Sequence, residues 1–293
     1  MNWISKVPVE KGFSSDRKYR VTDENGSSYL LREADLTQLE RKTDEFRVME
    51  RLAEAGLPMC RPAKLWQEAE SVCTLHEWIR GEDLEDLLPK MTRREQYALG
   101  LEAGRLLRII HSLPAPAPNE GWAARYEKKI GRVLENYAKC PLKPANEDFF
   151  LQWVQLDPEL LAQRPMMLQH GDFHRANLML DRLGQLTVID FQKFSWGDPW
   201  EEFDAITWDV EMAPAFAAGR VDGYFGGPVP AAFWLLLRCY VCRGILGGYA
   251  WAAPRGEEQV RIMARHAEMV RGWYADGGTV PGWYANRDFL NDL

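Results

Sequence analysis

The chain has 293 residues, of which 46% are hydrophobic and 27% are charged, and its formal net charge at pH 7 is -7. This composition fits a globular protein with one large domain or two smaller ones, and it lacks the basic footprint of a nucleic-acid-binding protein. The first residues, M-N-W-I-S-K-V-P, lack the apolar core of a signal peptide, and the five cysteines are odd in number and scattered. We therefore expect a cytoplasmic protein, and no protein partner is evident.

The N-terminal part of the chain predicts a small sheet with one helix. The dipeptide Asn25-Gly26 is a strong hairpin signal, and pairing across it places Arg32 close to Tyr19. Apolar side chains at helical spacing predict a helix at residues 37–55. Strands are predicted at residues 7–9, 18–22, 28–32, 63–66 and 71–77.

The rest of the chain is predicted to be mostly helical. Helices are predicted at residues 92–111, 122–138, 147–161, 200–216, 230–252 and 257–275. A break at Gly81 separates the two patterns, so we predict domains at residues 1–81 and 82–293. Strands followed by helices indicate an α+β, two-lobed architecture.

The longest apolar stretch, residues 229–253, is interrupted by Arg238 and Arg243. Charged residues are costly at the centre of a bilayer, so this stretch predicts a buried helix and not a membrane span. Cys239 and Cys242 form a C-x-x-C pair within it. Without a second pair, buried helical cysteines are favoured over a zinc or redox site.

Residues 170–191 carry the most informative motif, which begins H-G-D-F-H-R-A-N and ends I-D-F. Two short apolar strands with a turn at residues 181–185 predict a hairpin. Centred between Leu183 and Gly184, that hairpin places Asn177 opposite Asp190, with Asp172 on the loop before it. Two carboxylates and an amide oxygen at one place suit Mg²⁺, which prefers oxygen ligands and shares them with phosphates.

The same motif is similar to the catalytic core of kinases, in which H-R-D-L-x-x-x-N is followed by D-F-G. Gly171 and Gln192 depart from the protein-kinase pattern. The chain more closely resembles the aminoglycoside phosphotransferase family, which includes choline-kinase-like enzymes. The resemblance implies a protein-kinase-like fold, with a small N-terminal sheet-plus-helix lobe and a larger, mostly helical C-terminal lobe. It also implies ATP or GTP as phosphate donor, Asp172 as catalytic base, and Asn177 and Asp190 as ligands of Mg²⁺.

The resemblance further assigns the nucleotide-binding residues. Arg32 takes the place of the phosphate-binding lysine, since a guanidinium also binds phosphate. Glu45 is the predicted ion-pair partner of Arg32, with Glu50 as the alternative. The loop at residues 11–15 is a candidate phosphate cover, although its single glycine also fits an ordinary turn. The remaining predicted nucleotide-binding residues are Gly12, Phe13, Ser14 and Ser15 in that loop, and Glu77 and Ile79 in the hinge.

An acidic segment follows the motif, between Asp198 and Glu211, and contains interleaved tryptophans but no basic residue. Carboxylates and aromatic faces can bind a cationic, hydroxyl-bearing small molecule. A solvated helix with an acidic start has the same pattern, so both interpretations stay open. The candidate acceptor-binding residues are Trp200, Glu201, Glu202, Asp204 and Trp208. Asp198 could instead brace the catalytic loop, and His170 and His174 are interpreted as loop scaffolding and not as zinc ligands.

These assignments predict a small-molecule kinase. An aminoglycoside acceptor, and hence antibiotic resistance, is one hypothesis. A metabolic kinase acting on choline, homoserine, methylthioribose or a fructosamine is the second, because it shares the same motif. A nucleotide-binding pseudokinase is the third, and the presence of both Asp172 and Asp190 argues against it.

Overall fold

The computed structural model describes residues 2–10, 15–156 and 158–287. The chain divides into two compact units. The first contains Met1–Leu84 and Asn177–Gln192, and the second contains Glu85–Ala176 and Lys193–Leu293. The first division lies close to the predicted boundary at Gly81. The motif hairpin, however, groups with the N-terminal unit, although the sequence prediction placed it in the C-terminal domain.

The strands, in chain order, are β1 (Ser5–Pro8), β2 (Arg17–Thr22), β3 (Ser28–Asp35), β4 (Pro62–Gln67), β5 (Ser71–Glu77), β6 (Gly81–Asp83), β7 (Met167–Gln169), β8 (Leu178–Asp181), β9 (Leu186–Val188) and β10 (Ser195–Gly197). The first unit contains a five-stranded sheet with the order β1-β2-β3-β5-β4 and a three-stranded sheet with the order β6-β8-β9. Because β6 pairs with β8, the motif hairpin is hydrogen-bonded to the N-terminal segment. In the second unit, β7 pairs with β10.

The helices are α1 (Leu39–Glu54), α2 (Leu84–Leu87), α3 (Arg93–Ile110), α4 (Trp122–Lys139), α5 (Glu147–Trp153), α6 (Pro158–Ala162), α7 (Ile206–Met212), α8 (Pro214–Phe225), α9 (Ala231–Ala252), α10 (Glu257–Trp273) and α11 (Gly282–Ala285). Two predicted helices are each interrupted. The segment 147–161 divides before Pro158, and the segment 200–216 begins as a 3-10 helix and divides before Pro214. At the second break, Ala213 precedes Pro214 and is not helical, with a φ of -146° and a ψ of 77°. The residue before a proline disfavours the helical conformation.

Both hairpins have three-residue loops, and this changes the predicted registers by one residue. In the first, Asp23 N donates to Ser27 O at 3.0 Å, and Gly26 has a φ of 80°. Arg32 therefore pairs with Lys18 and not with Tyr19. A left-handed glycine at the third loop position is typical of three-residue hairpin loops, whereas the prediction assumed a two-residue turn.

Helix α1 packs on β4 and β5 with a partly charged face. Val48, Met49 and Leu52 are buried, as an amphipathic helix requires. Lys42 and Glu45 are also buried, whereas the apolar side chain of Phe46 is only half-buried. Buried charges need partners, so this face of α1 must contact other charged groups.

Glycines bring α3 and α8 into close contact in the second unit. A Cβ at Gly104 would collide with the backbone of Arg220, and a Cβ at Gly223 would collide with the backbone of Leu101. The two helices therefore pack backbone against backbone. Arg220 on α8 is fully buried, and its Nη1 donates to the carbonyl oxygen of Phe173 at 2.8 Å.

Helix α9 forms the centre of the second unit and packs against α4, α5 and α10. By length and composition alone, Ala231–Arg255 could cross a membrane, but 67% of its most apolar window is buried inside the protein. Tyr240 is fully buried against Trp122 and Tyr126. The helix is thus a core helix, as the two interrupting arginines predicted.

Candidate active site

The motif hairpin brings Asn177 and Asp190 to one end of β8 and β9. Ile189 N donates to Asn177 O at 3.0 Å, so Asn177 lies opposite Ile189 and not opposite Asp190, as predicted. The cause is again a three-residue loop, in which Gly184 has a φ of 78°. Asp190 follows directly and has a φ of 63°. A non-glycine residue in this left-handed region is strained, and such strain concentrates at functional sites.

The donor set at this end of the hairpin suits a magnesium ion. The side chain of Asp190 is 41% exposed, so its carboxylate can reach a ligand. Among the residues that the structure describes, no group of three His, Cys, Asp or Glu side chains could hold a metal. Mg²⁺ does not need one, because it commonly takes one or two carboxylates and completes its shell with water and substrate phosphates. Asp190 and the amide oxygen of Asn177 therefore fit this ion.

Arg32 contacts the hairpin from the five-stranded sheet. Its Nη1 donates to Asp190 Oδ1 at 3.2 Å, and its Nε donates to Asp16 Oδ2 at 3.1 Å. Burial lowers the pKa of Arg32, but the charges of Asp190, Glu45 and Asp16 outweigh it and raise the pKa above its ordinary value. The guanidinium is thus a permanent cation beside the candidate metal ligand.

Asp16 has a role that the sequence did not indicate. Its Oδ2 also accepts from Lys42 Nζ at 2.7 Å and from Gln192 Nε2 at 2.8 Å. Burial raises the pKa of Asp16, but the contacts with Lys42, Arg32 and Gln192 hold it below its ordinary value. Asp16 is therefore the hub of a buried charge cluster.

The predicted ion pair between Glu45 and Arg32 is replaced by an indirect arrangement. Glu45 Oε2 accepts from Lys42 Nζ at 3.2 Å, so Glu45 acts on Arg32 through its charge and not through the predicted direct contact. The alternative, Glu50, is exposed. Because Lys42 and Glu45 lie three residues apart on α1, one face of this helix supplies both charges to the cluster.

The structure describes only some of the other predicted nucleotide-binding residues. Gly12, Phe13 and Ser14 lie outside the described residues, and Ser15 is exposed before β2. In the predicted hinge, Glu77 N donates to Arg61 O at 2.9 Å, and Trp78 N donates to Ser28 O at 3.3 Å. Ile79 is half-buried. The nucleotide-binding roles of these residues stay predictions.

The loop that carries Asp172 lies in the second unit and is shaped by Gly171. This glycine has a φ of 84°, and a Cβ on it would collide with the carbonyl group of Lys193. Both facts require glycine here, which explains why the motif has H-G-D where protein kinases have H-R-D. Gly171 N donates to Glu202 Oε1 at 2.7 Å, so a buried carboxylate holds the turn.

Asp172 itself contacts two basic side chains. Lys193 Nζ donates to Asp172 Oδ2 at 2.9 Å, and His174 Nε2 lies 3.5 Å from Asp172 Oδ1. Burial raises the pKa of Asp172, but the contacts with His174 and Lys193 outweigh it and hold the pKa below its ordinary value. The carboxylate is therefore ionised at neutral pH and can accept a hydrogen bond from a hydroxyl group.

The acidic segment after the motif supports this loop and the core. Glu201 is buried, with Lys129 Nζ at 2.7 Å and Arg243 Nη1 at 3.0 Å. Asp204 also pairs with Arg243. Glu202 Oε2 lies 3.5 Å from His111 Nε2. The predicted acceptor contacts of these three carboxylates thus differ from the observed arrangement, in which internal partners hold all of them.

The two predicted acceptor tryptophans have different surroundings. Trp200 packs against Phe233, and the guanidinium of Arg164 lies 3.5 Å from the centre of its ring, so it belongs to the core edge. Trp208 is half-buried and stacks on His174, with ring centres 6.2 Å apart. Since His174 contacts Asp172, Trp208 is the predicted acceptor residue that lies next to the catalytic loop.

Comparisons with known proteins found similar sequences and similar solved structures. In the mouse (Mus musculus), Acyl-CoA dehydrogenase family member 10 is 28% identical over 170 residues, which are 54% of this chain and 16% of that protein. Hence the match spans only a small part of the curated relative.

Solved structures of similar fold include an aminoglycoside phosphotransferase, APH(4)-Ia, with a TM-score of 0.63, 17% identity, and coverage of 92% of this chain and 93% of that one. Macrolide 2'-phosphotransferase MphH from Brachybacterium faecium has a TM-score of 0.60 and 19% identity, and covers 90% and 92%. Amicoumacin kinase hAmiN, in complex with AMP-PNP, Ca²⁺ and Ami, has a TM-score of 0.60 and 15% identity, and covers 94% and 90%. At these identities the likeness concerns the fold, and it confirms the predicted protein-kinase-like, α+β fold.

A sequence model described as "Phosphotransferase enzyme family" matches residues 7–234, which is most of the chain. The likeness in fold is consistent with this match, and so is the contact between Arg32 and Asp190 within the first unit. The chain therefore belongs to the phosphotransferase enzyme family.

Proposed function

We propose that this protein transfers the γ-phosphate of ATP to a hydroxyl group of a small molecule. The observation that carries the proposal is the contact between Arg32 and Asp190, 3.2 Å apart although they are 158 residues apart in the chain. This contact supports the proposal because a guanidinium, which can bind phosphate, lies beside a carboxylate that suits Mg²⁺. Phosphoryl transfer depends mainly on such positioning and on electrostatic stabilisation.

Each residue then has a defined role. Asp172 accepts a hydrogen bond from the acceptor hydroxyl and takes its proton as the oxygen attacks the γ-phosphorus. A new oxygen–phosphorus bond forms, the bond to the bridging oxygen breaks, and ADP leaves. Arg32 neutralises charge on the phosphates, with Asp16 fixing its orientation. Asn177 and Asp190 would hold Mg²⁺, which would neutralise the negative charge that develops on the phosphates.

ATP is favoured as the donor because solved relatives of this fold carry its analogue or product. The amicoumacin kinase is in complex with AMP-PNP, and a thermostable mutant of APH(4)-Ia is in complex with ADP and hygromycin B. GTP is the alternative donor. A competition between ATP and GTP at equal concentrations would distinguish the two.

Two classes of acceptor are candidates. An aminoglycoside is supported by the names of the solved relatives, which act on antibiotics. A metabolic hydroxyl compound is supported by the internal pairing of the acidic segment. Since the carboxylates predicted to attract a polycation have protein partners, the electrostatic argument for an aminoglycoside loses its main support.

The test is to measure ADP formation from Mg-ATP with a panel of aminoglycosides, amino alcohols, sugars and hydroxy compounds. Phosphorylation of at least one acceptor by the wild type, and its loss in Asp172→Asn, would support the proposal. Glu135→Gln is a matched carboxylate control, because Glu135 is 65% exposed and pairs with Lys139 on the surface of α4. ADP formation that is equal in wild type and Asp172→Asn would refute the assigned base. Failure to bind Mg-ATP would refute the proposed function itself.

A further inference from the structure

Lys193 contacts the carboxylate of Asp172, the proposed catalytic base, from outside the H-G-D loop. It ends the 3-10 helix Phe191–Lys193, and its carbonyl group is seated against Gly171. Its Nζ donates to Asp172 Oδ2 at 2.9 Å. The backbone of Lys193 is therefore fixed beside the catalytic loop, while its ammonium group is placed on one of the two oxygens that could receive the acceptor proton.

The contact between Lys193 and Asp172 contributes little to stability. The side chain of Lys193 is 66% exposed and that of Asp172 is 31% exposed. Exposed ion pairs contribute little to stability, because both side chains lose conformational freedom and water screens their charges. The ammonium group of Lys193 can therefore leave Asp172 at little cost in free energy.

The approach of an acceptor forces this ammonium group to move. An acceptor hydroxyl must come within about 2.6–3.2 Å of the Asp172 carboxylate to donate its proton. A hydroxyl group that donates to Asp172 Oδ2 takes the place of Lys193 Nζ. The displaced ammonium group needs a new anionic partner. The phosphoryl group supplies one, because in a reactive geometry its phosphorus lies about 3–3.5 Å from the attacking oxygen.

The carboxylates of the acidic segment are already paired with other basic side chains of the second unit. Each carboxylate of the acidic segment has a basic partner within the protein. These pairs are Asp198–Arg164, Glu201–Lys129, Glu202–His111, Asp204–Arg243, Asp209–Arg220 and Glu211–Arg265. The transferring phosphoryl group is therefore the anion best placed to receive the ammonium group.

We propose that Lys193 is a catalytic residue that moves from Asp172 to the transferring phosphoryl group. The inference rests on the proposed function and adds a second cation to that of Arg32. During transfer, the acceptor oxygen bonds to phosphorus, the bridging oxygen leaves with ADP, and the acceptor proton goes to Asp172. Lys193 stays protonated throughout and donates a hydrogen bond to a non-bridging phosphoryl oxygen. It thus stabilises charge that develops in the transition state.

The test compares ligand binding in wild type, Lys193→Met and Lys193→Arg by calorimetry. The ligands are Mg-ADP alone and Mg-ADP with aluminium fluoride, which stands in for the transferring phosphoryl group. We expect Lys193→Met to leave Mg-ADP affinity within about twofold and to weaken the fluoride complex at least tenfold, with partial recovery in Lys193→Arg. Removing one donor of this kind should lower kcat about 100-fold or more. Lys139→Met is the control, because Lys139 is 71% exposed and pairs with Glu135 on α4.

The outcomes separate the two proposals. Equal affinities of wild type and Lys193→Met for the fluoride complex would overturn the role of Lys193 while leaving the proposed function intact. The same conclusion follows if Lys193→Met weakens Mg-ADP and the fluoride complex by the same factor. No Mg-ADP binding by the wild type would refute the proposed function, and this inference with it.

Discussion

The buried hub at Asp16 allows a quantitative prediction, in which Asp16→Asn lowers the free energy of unfolding by about 3–5 kcal/mol. The side chain of Asp16 is 2% exposed, and those of its partners Arg32 and Lys42 are 6% and 4% exposed. The asparagine has almost the same size but no charge. Arg32 keeps its contact with Asp190 and Lys42 keeps its contact with Glu45, but both buried cations lose their shared counter-ion. Breaking a buried ion pair costs about 3–5 kcal/mol.

The assay is equilibrium unfolding in urea at pH 7, followed by tryptophan fluorescence. Glu33→Gln is the matched control on the same sheet, since Glu33 pairs with Lys6 and Arg17, which are 40% and 68% exposed. A pair of this kind contributes about 0–1 kcal/mol. A loss below about 1 kcal/mol for Asp16→Asn, equal to the control, would refute the reasoning that Asp16 compensates two buried cations.

The pH dependence of this difference has a definite sign. The folded-state pKa of Asp16 is held below its ordinary value, so its contribution is fully present above the unfolded-state pKa of about 3.9. It is lost as the pH falls through the folded-state pKa, where the carboxylate becomes protonated. The stability difference between wild type and Asp16→Asn should thus be constant from pH 7 to about 5 and shrink below about pH 4.

Four other substitutions test the candidate site and the packing of α3 on α8. Asp172→Asn should lower kcat at least about 100-fold with unchanged Mg-ADP affinity in calorimetry, and near-normal turnover would exclude the base. Asp190→Ala should weaken Mg-ATP but not metal-free ATP, and equal affinities in wild type and variant would exclude the metal role. Arg32→Ala should raise the KM for ATP while leaving adenosine affinity unchanged, and a parallel loss for both would indicate a folding defect. Gly104→Ala should lower Tm in a thermal melt, because its Cβ would collide with the backbone of Arg220, and an unchanged Tm would contradict that close packing.

The sequence predicted the elements well where a local rule decides them. The strands, the long helices and the motif hairpin follow from periodicity and turn residues. The registers of both hairpins were wrong by one residue, because Gly26 and Gly184 occupy the third position of a three-residue loop. A turn glycine is compatible with loops of either length, and the pairing of the two strands determines the loop length.

The candidate site was predicted in its motif but not in its supporting contacts. Asp16 lies 16 or more positions from Arg32 and Lys42, and Lys193 lies outside the motif that contains Asp172. No spacing rule therefore predicts their contacts. For the acidic segment from Asp198 to Glu211, an acceptor surface and a solvated helix both stayed open, because its basic partners come from other parts of the chain. Arg243 on α9, for example, pairs with Glu201 from 42 positions later in the chain. A charge pattern in one segment does not reveal whether its partner is a ligand or the protein itself.

The packing of Gly171 against the Lys193 carbonyl group has a consequence for how this enzyme could change over evolution. The side chain at position 171 and the path of the chain after Asp190 are coupled, because any Cβ there would displace that path. An arginine at this position, as in H-R-D, would require the segment after D-F to be rerouted at the same time. A graft of a regulatory activation segment into this chain would therefore need both changes together, since a side chain at position 171 alone would push the Lys193 carbonyl group away from the loop.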